Sequence, residues 1–148
     1  MKFEKFFKSA GTHGQVVKNG VDTWLVCGGV GMKIPEGINN LGISVKPDDM
    51  FTAVVNAEPD SDILILKSAI LKDPEGKTGD IIRVFETDFG DKVGIHNDKY
   101  GLLEKRDVLT YLEIEDDDPE HDGEIVRYIL VSDHNKEVVG FIRGTADI

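Results

Sequence analysis

The sequence predicts a β-rich α+β fold: a mainly antiparallel sheet, sandwich or partial barrel built from hairpins, with a short N-terminal helix and a second helix near 47–57. Three observations carry this. Short apolar runs recur along most of the chain, turn-forming Gly, Asn, Asp and Pro separate them at close spacing, and helical periodicity is confined to two places. Strands this frequent, joined by short turns, pair antiparallel rather than through βαβ crossovers. At 148 residues and 40% hydrophobic, the chain suits one domain, 1–148, with a conventional core.

The first helix is read over 1–10. Phe3, Phe6, Phe7 and Ala10 fall at i, i+3, i+4 and i+7, Lys2, Glu4, Lys5 and Lys8 take the other sides, and Gly11 is placed to end it. A helix this short is marginal alone in water, so its three phenylalanines must dock, either on this chain's own sheet or on a neighbouring subunit. Phe3, Phe6 and Phe7 are therefore candidate partner-binding residues.

Gln15–Lys18 and Thr23–Cys27 read as strands around Asn19-Gly20, the strongest short hairpin signal, because both central residues of a type I′ turn need positive φ. Gly28, Gly29 and Gly31 interrupt the run and predict a bulge or sharp bend into a strand at Met32–Ile34. Residues 36–45 read as a connecting loop. Pro47, Asp48 and Asp49 start the second helix, whose apolar face is Met50, Phe51, Val54 and Val55. Beyond Ser61 the expected strands are 63–71, 80–86, 92–95, 100–104 and 108–114, with a turn at Asp73-Pro74-Glu75-Gly76. A last hairpin, 125–131 and 137–142, turns at Asp133–Lys136. Residues 84–95 and 129–140 share a hairpin grammar, but no further positions follow that register, so no duplication is read.

The motifs that would carry chemistry fail on spacing. Gly28-Gly29-Val30-Gly31 lacks the G-x-G-x-x-G pattern and leads into Pro35, not into a helix. Gly76-Lys77-Thr78 lacks the first P-loop glycine, where Leu71 stands. Cys27, the single cysteine, can form no intrachain disulfide and ends an apolar strand, where a small buried hydrophobe is expected. His13, His96, His121 and His134 lie in turn-like sequence with no metal-ligand spacing, and no serine has a nucleophile-elbow setting. A carboxylate pair such as Glu86 and Asp88 could be proposed anywhere in so acidic a chain. No catalytic residue and no cofactor is predicted.

The net charge is −11, from 28 Asp and Glu against 17 Lys and Arg. It argues against direct nucleic-acid or anionic-lipid binding, which rests on cations displacing counterions. Eight acids lie between Glu113 and Glu124, so the other 136 residues sum to only −3. This acidic loop, 113–124, reads first as a solvated hairpin connection. Two further readings stay open: a surface recruiting a basic partner, through Glu115 and Asp117, and a weak divalent-cation site. For the second, Asp116, Asp118, Glu120 and Asp122 are the candidate ligands; Asp118, Glu120, Asp122 and Gly123 match the first half of an EF-hand loop, but Ile129 stands where its bidentate Glu belongs.

No apolar run reaches membrane-spanning length, and the N-terminus lacks a signal-peptide core, so a chain that is cytoplasmic when synthesised is expected. Functionally the sequence favours a non-catalytic interaction or structural protein with a protein partner or self-association: a soluble β-rich subunit or accessory protein of a larger assembly such as a virion. The alternatives are an acidic inhibitor or nucleic-acid mimic that binds a basic protein, and an enzyme of unrecognised type, metal-assisted through the loop acids.

Overall fold

A computed structural model describes residues 1–38, 44–57, 62–71, 81–115 and 123–145. Helix α1 (Phe3–Ala10) ends on Gly11, whose φ of +54° suits a residue without Cβ and whose N–H donates to the Phe7 carbonyl. Strands β1 (Gln15–Asn19) and β2 (Asp22–Cys27) follow, with Asn19 paired to Asp22. The ladder thus absorbs Asn19, and the two loop residues are Gly20 and Val21. Only Gly20 has positive φ, at +62°, which is the type II′ pattern in place of the expected type I′. The type I′ pattern occurs at the next turn. There Cys27 pairs with Val30, and Gly28 and Gly29 both have positive φ, so the bend predicted at these glycines is a two-residue hairpin turn into β3 (Val30–Lys33).

Within the predicted 36–45 loop, Ser44–Val45 forms a two-residue strand, β4, paired parallel to β1. Helix α2 (Asp49–Val55) is shorter than the 47–57 expectation: Asp48 is its N-cap, accepting from the Phe51 N–H at 2.7 Å, and Pro47 precedes the cap. Strands β5 (Ile65–Leu71), β6 (Ile81–Glu86) and β7 (Lys92–His96) form one antiparallel sheet. The strand expected at 100–104 is replaced by helix α3 (Asn97–Tyr100) and tight turns. The N–H groups of Gly101, Leu102 and Leu103 bond back to the carbonyls of Asn97, Lys99 and Tyr100, so that stretch satisfies its backbone locally and forms no ladder. Strands β8 (Val108–Glu115), β9 (Ile125–Ser132) and β10 (Val138–Arg143) complete the described chain. The predicted turn at 73–76 lies outside the described residues.

The larger described sheet runs β4-β1-β2-β3-β10-β9-β8 and is antiparallel except at β4. Alternate residues bury on opposite faces. Val17, Trp24, Tyr128, Leu130 and Phe141 pack under α2 with Phe51 and Val54. Val16, Leu25, Met32, Ile129 and Ile142 pack with Phe6 and Ala10 of α1 and with Phe85, Val93 and Ile95 of the smaller sheet. Cover on both faces is why these strands read as apolar runs instead of a clean alternation. Residues 62–64 bond to the outer strand of this sheet, Leu64 N–H to the Leu109 carbonyl and Tyr111 N–H to the Asp62 carbonyl, and so cover part of its edge.

Candidate functional site

The first turn of α1 is fixed by long-range polar contacts. The Met1 ammonium donates to Asp107 Oδ1 at 3.0 Å and lies 3.0 Å from Oδ2, with the two side chains only 2% and 6% exposed. Asp107 Oδ2 also accepts the Glu104 N–H at 2.8 Å, and Lys2 N–H donates to the Leu102 carbonyl at 2.8 Å. Charge-assisted bonds at this burial hold the helix end to the turns that follow α3.

Phe3 emerges from this anchored turn as the wall between two concave surfaces. On one side is an open cleft of about 470 Å³ floored by Met1, Phe3, Met32, Ile34 and Val139. On the other is a groove of about 420 Å³ lined by Phe3, Phe7 and Ile38, with Glu4 and Lys8 at its margin. The Phe3 and Phe7 rings stack with centroids 6.1 Å apart. The two hollows share Phe3 and together flank α1 as an apolar trough divided by that ring.

The rim is charged. Lys33 contacts Glu137 at 2.5 Å and Asp22 at 3.3 Å, and these carboxylates, Glu137 foremost, raise its amine above the ordinary lysine value against a smaller effect of burial. Arg106 lies 3.6 Å from Glu104. Asp133 Oδ1 accepts the Asn135 and Glu137 N–H groups, which shapes the turn at the cleft's end and brings His134 to its edge.

The three phenylalanines of the N-terminal stripe separate. Phe6 is 3% exposed and belongs to the core, Phe3 is half-buried, and Phe7 is 44% exposed. Phe6 thus docks on this chain's own sheet and is not presented to a partner, a correction to the expectation that all three could be. Glu115 is exposed at the end of β8, opposite Ile125, and does not reach the trough. Asp116, Asp117, Asp118, Glu120 and Asp122 lie outside the described residues. Among the described residues no group of three or more His, Cys, Asp or Glu side chains is arranged to hold a metal ion, and Cys27 is half-buried at the end of β2. Glu86 pairs with Lys92 at 3.5 Å.

Other features gave little sequence signal. Asp107, Ile34, Ile38 and Val139 come from separate elements, and only the alternation Met32-Lys33-Ile34 hinted that one of them faced a surface. A separate apolar patch lies on β5 and its approach, where Ile63, Ile65 and Leu66 are exposed. Lys67 in the middle of that outer strand is a charge of the kind that discourages edge-to-edge pairing. No helix among the described residues is long and apolar enough to cross a membrane. Comparison with protein-family models, with curated proteins and with solved structures gives no match to this chain.

Proposed function

We propose that this protein works by contact and not by catalysis, as a small β-rich subunit or accessory protein of a larger assembly, and that the trough beside α1 is the face it presents to a protein partner. The observation that carries this reading is the shared wall: Phe3 lines two adjoining, mainly apolar hollows, and exposed Phe7 and Ile38 line the second of them. Exposed aromatic and aliphatic groups beside a rigidly held helix end are the usual anchors of a binding surface. The partner's chemistry follows from the lining. The floor is apolar, and the rim carries both signs, Glu4, Glu36, Asp133 and Glu137 with Lys8, Lys33 and Arg106, so the partner segment supplies an apolar anchor with polar flanks.

Light scattering after size exclusion, followed by pull-down from the native source with wild type and Phe7→Asp, tests the proposal. A complex that forms with wild type and is lost with Phe7→Asp supports it. A monomer that captures nothing at any salt concentration, or a complex indifferent to Phe7→Asp, overturns it.

A further inference from the structure

A second surface, at the Gly28–Gly29 turn, brings two cations together. Lys99 on α3 and Arg143 at the end of β10 meet over the Gly28–Gly29 turn. The point where a Cβ on Gly29 would stand lies 3.7 Å from Lys99 Nζ, 3.1 Å from Arg143 Cβ and 3.7 Å from Arg143 Cδ. The Arg143 N–H donates to the Gly29 carbonyl at 2.8 Å, which fixes the turn against the strand end. Among the described residues, neither cationic group has a carboxylate within ion-pair distance.

That arrangement is costly in this chain. Acids outnumber bases 28 to 17, so a carboxylate partner is the easy solution for a cation pair, yet both side chains are set over a glycine turn with no described carboxylate at ion-pair distance. Asp98 is next to Lys99, but its Oδ1 accepts the Lys99 backbone N–H at 2.9 Å. Burial holds the Lys99 amine below its ordinary value and Arg143 adds to this, while Asp98 and Cys27 pull the other way. Gly28, at φ of +60°, has no heavy atom within 4 Å of where a Cβ would stand, which leaves open space beside the two side chains that lie over Gly29.

We infer that Lys99, Arg143 and the Gly28–Gly29 turn form a binding site for a phosphate-class oxyanion. A guanidinium offers a fork of N–H donors matched to phosphate oxygens, an ammonium adds a point charge, and a glycine turn permits close approach. A dianion between the two cations outweighs their mutual repulsion, and does so more strongly than a monoanion.

The test titrates inorganic phosphate at constant ionic strength, set with sodium chloride, into wild type, Lys99→Met and Arg143→Gln. Thermal unfolding and the backbone amide resonances of Gly28, Gly29 and Arg143 are followed. The expected result is a saturable rise in wild-type Tm with saturable shifts of those amides, and at least a tenfold loss of apparent affinity in each variant. Lys99→Met, freed of a half-buried ammonium, should also melt higher than wild type without phosphate. Repeating the titration with methyl phosphate separates two sources of the same group. Tighter saturation by the ester assigns a phosphomonoester and tighter saturation by the free ion assigns inorganic phosphate, and either upholds the site. Non-saturable shifts, or equal affinity in the variants, overturn it. Should one variant fail to fold, the wild-type amide shifts and the other variant still decide.

Discussion

Phe6 and Phe7 are adjacent in sequence and opposite in consequence, and substituting each in turn tests the account of α1. Phe6 is 3% exposed among Val16, Leu25 and the other residues of that core face, so Phe6→Ala removes a buried ring and leaves a cavity, worth about 3–5 kcal/mol. Phe7 is 44% exposed. Full burial of such a side chain contributes roughly 1.5–3 kcal/mol, so a ring a little over half covered accounts for about 1 kcal/mol, with roughly 0.5 kcal/mol more from its stack on Phe3. The expected difference between the two variants is thus about 2 kcal/mol, large enough to resolve by urea unfolding. Trp24, the only tryptophan and 3% exposed between Phe51 and Phe141, reports the transition by fluorescence. The cheaper substitution should have the larger functional effect: Phe7→Ala should weaken partner binding by about tenfold or more, the scale of a single interface anchor. Equal destabilisation by the two variants would refute the assignment of Phe7 to the open face. A stable Phe7→Ala protein with undiminished partner affinity would refute the trough as the contact surface.

Gly31→Ala should destabilise by about 1–3 kcal/mol in the same assay, since the new Cβ would stand 2.2 Å from Phe141 Cε1, and that ring is hemmed in by Trp24, Phe51 and Tyr128. Phe141→Leu in the same chain should recover part of the loss, and strict additivity of the two changes would count against the clash. Asp107→Ala leaves the Met1 ammonium buried without its partner and should cost about 3 kcal/mol; a loss below roughly 0.5 kcal/mol would mean that water replaces the carboxylate freely. Above pH 10 stability should fall. Tyr111, raised above its ordinary value by burial and by its hydrogen bond to Glu113, keeps its proton in the folded state, whereas the unfolded chain releases it near 10.0. Lys33 acts in the same direction, because its ion pairs contribute fully below 10.5 and are lost as pH rises through its raised folded value. Tm measured against pH should decline less steeply in Tyr111→Phe than in wild type, and identical slopes would remove Tyr111 from the explanation.

Elements whose signal is local were legible in the sequence, and those decided by tertiary contact were not. The 3.6-residue stripe placed α1, and the spacing of Gly, Asn and Asp between apolar runs placed the hairpins. The same stripe could not say which phenylalanine faces inward, because that depends on where the sheet meets the helix. Asn19-Gly20 marked a turn but missed its centre by one residue, since ladder pairing extended through Asn19. Tyr100, Leu102 and Leu103 resemble half of a strand yet anchor turns to the core, and β4 exists only because β1 lies beside it. The site divides the same way. Phe3 and Phe7 announce themselves as surplus aromatics on a short helix, but Asp107, Ile34, Ile38 and Val139 carry no local mark, since a cleft between elements is a property of their packing.

The two surfaces differ most in how their charges are answered. Around the trough the ions answer one another: Lys33 with Glu137 and Asp22, Arg106 with Glu104, and the Met1 ammonium with Asp107. Such pairs contribute little to holding a partner, because each would first have to be broken or left in place, so attraction at short range must come from the apolar floor and from Phe7. The net charge of −11 acts at longer range, on approach, and salt should therefore slow association more than it speeds release. At Lys99 and Arg143 the balance is reversed. Lys99 and the Arg143 side chain both lie over a glycine turn, with no carboxylate at ion-pair distance among the described residues. A surface whose charges are already paired suits a protein segment that supplies its own apolar anchor. Neighbouring cations without an ion-paired carboxylate suit a small anion that supplies the negative charge.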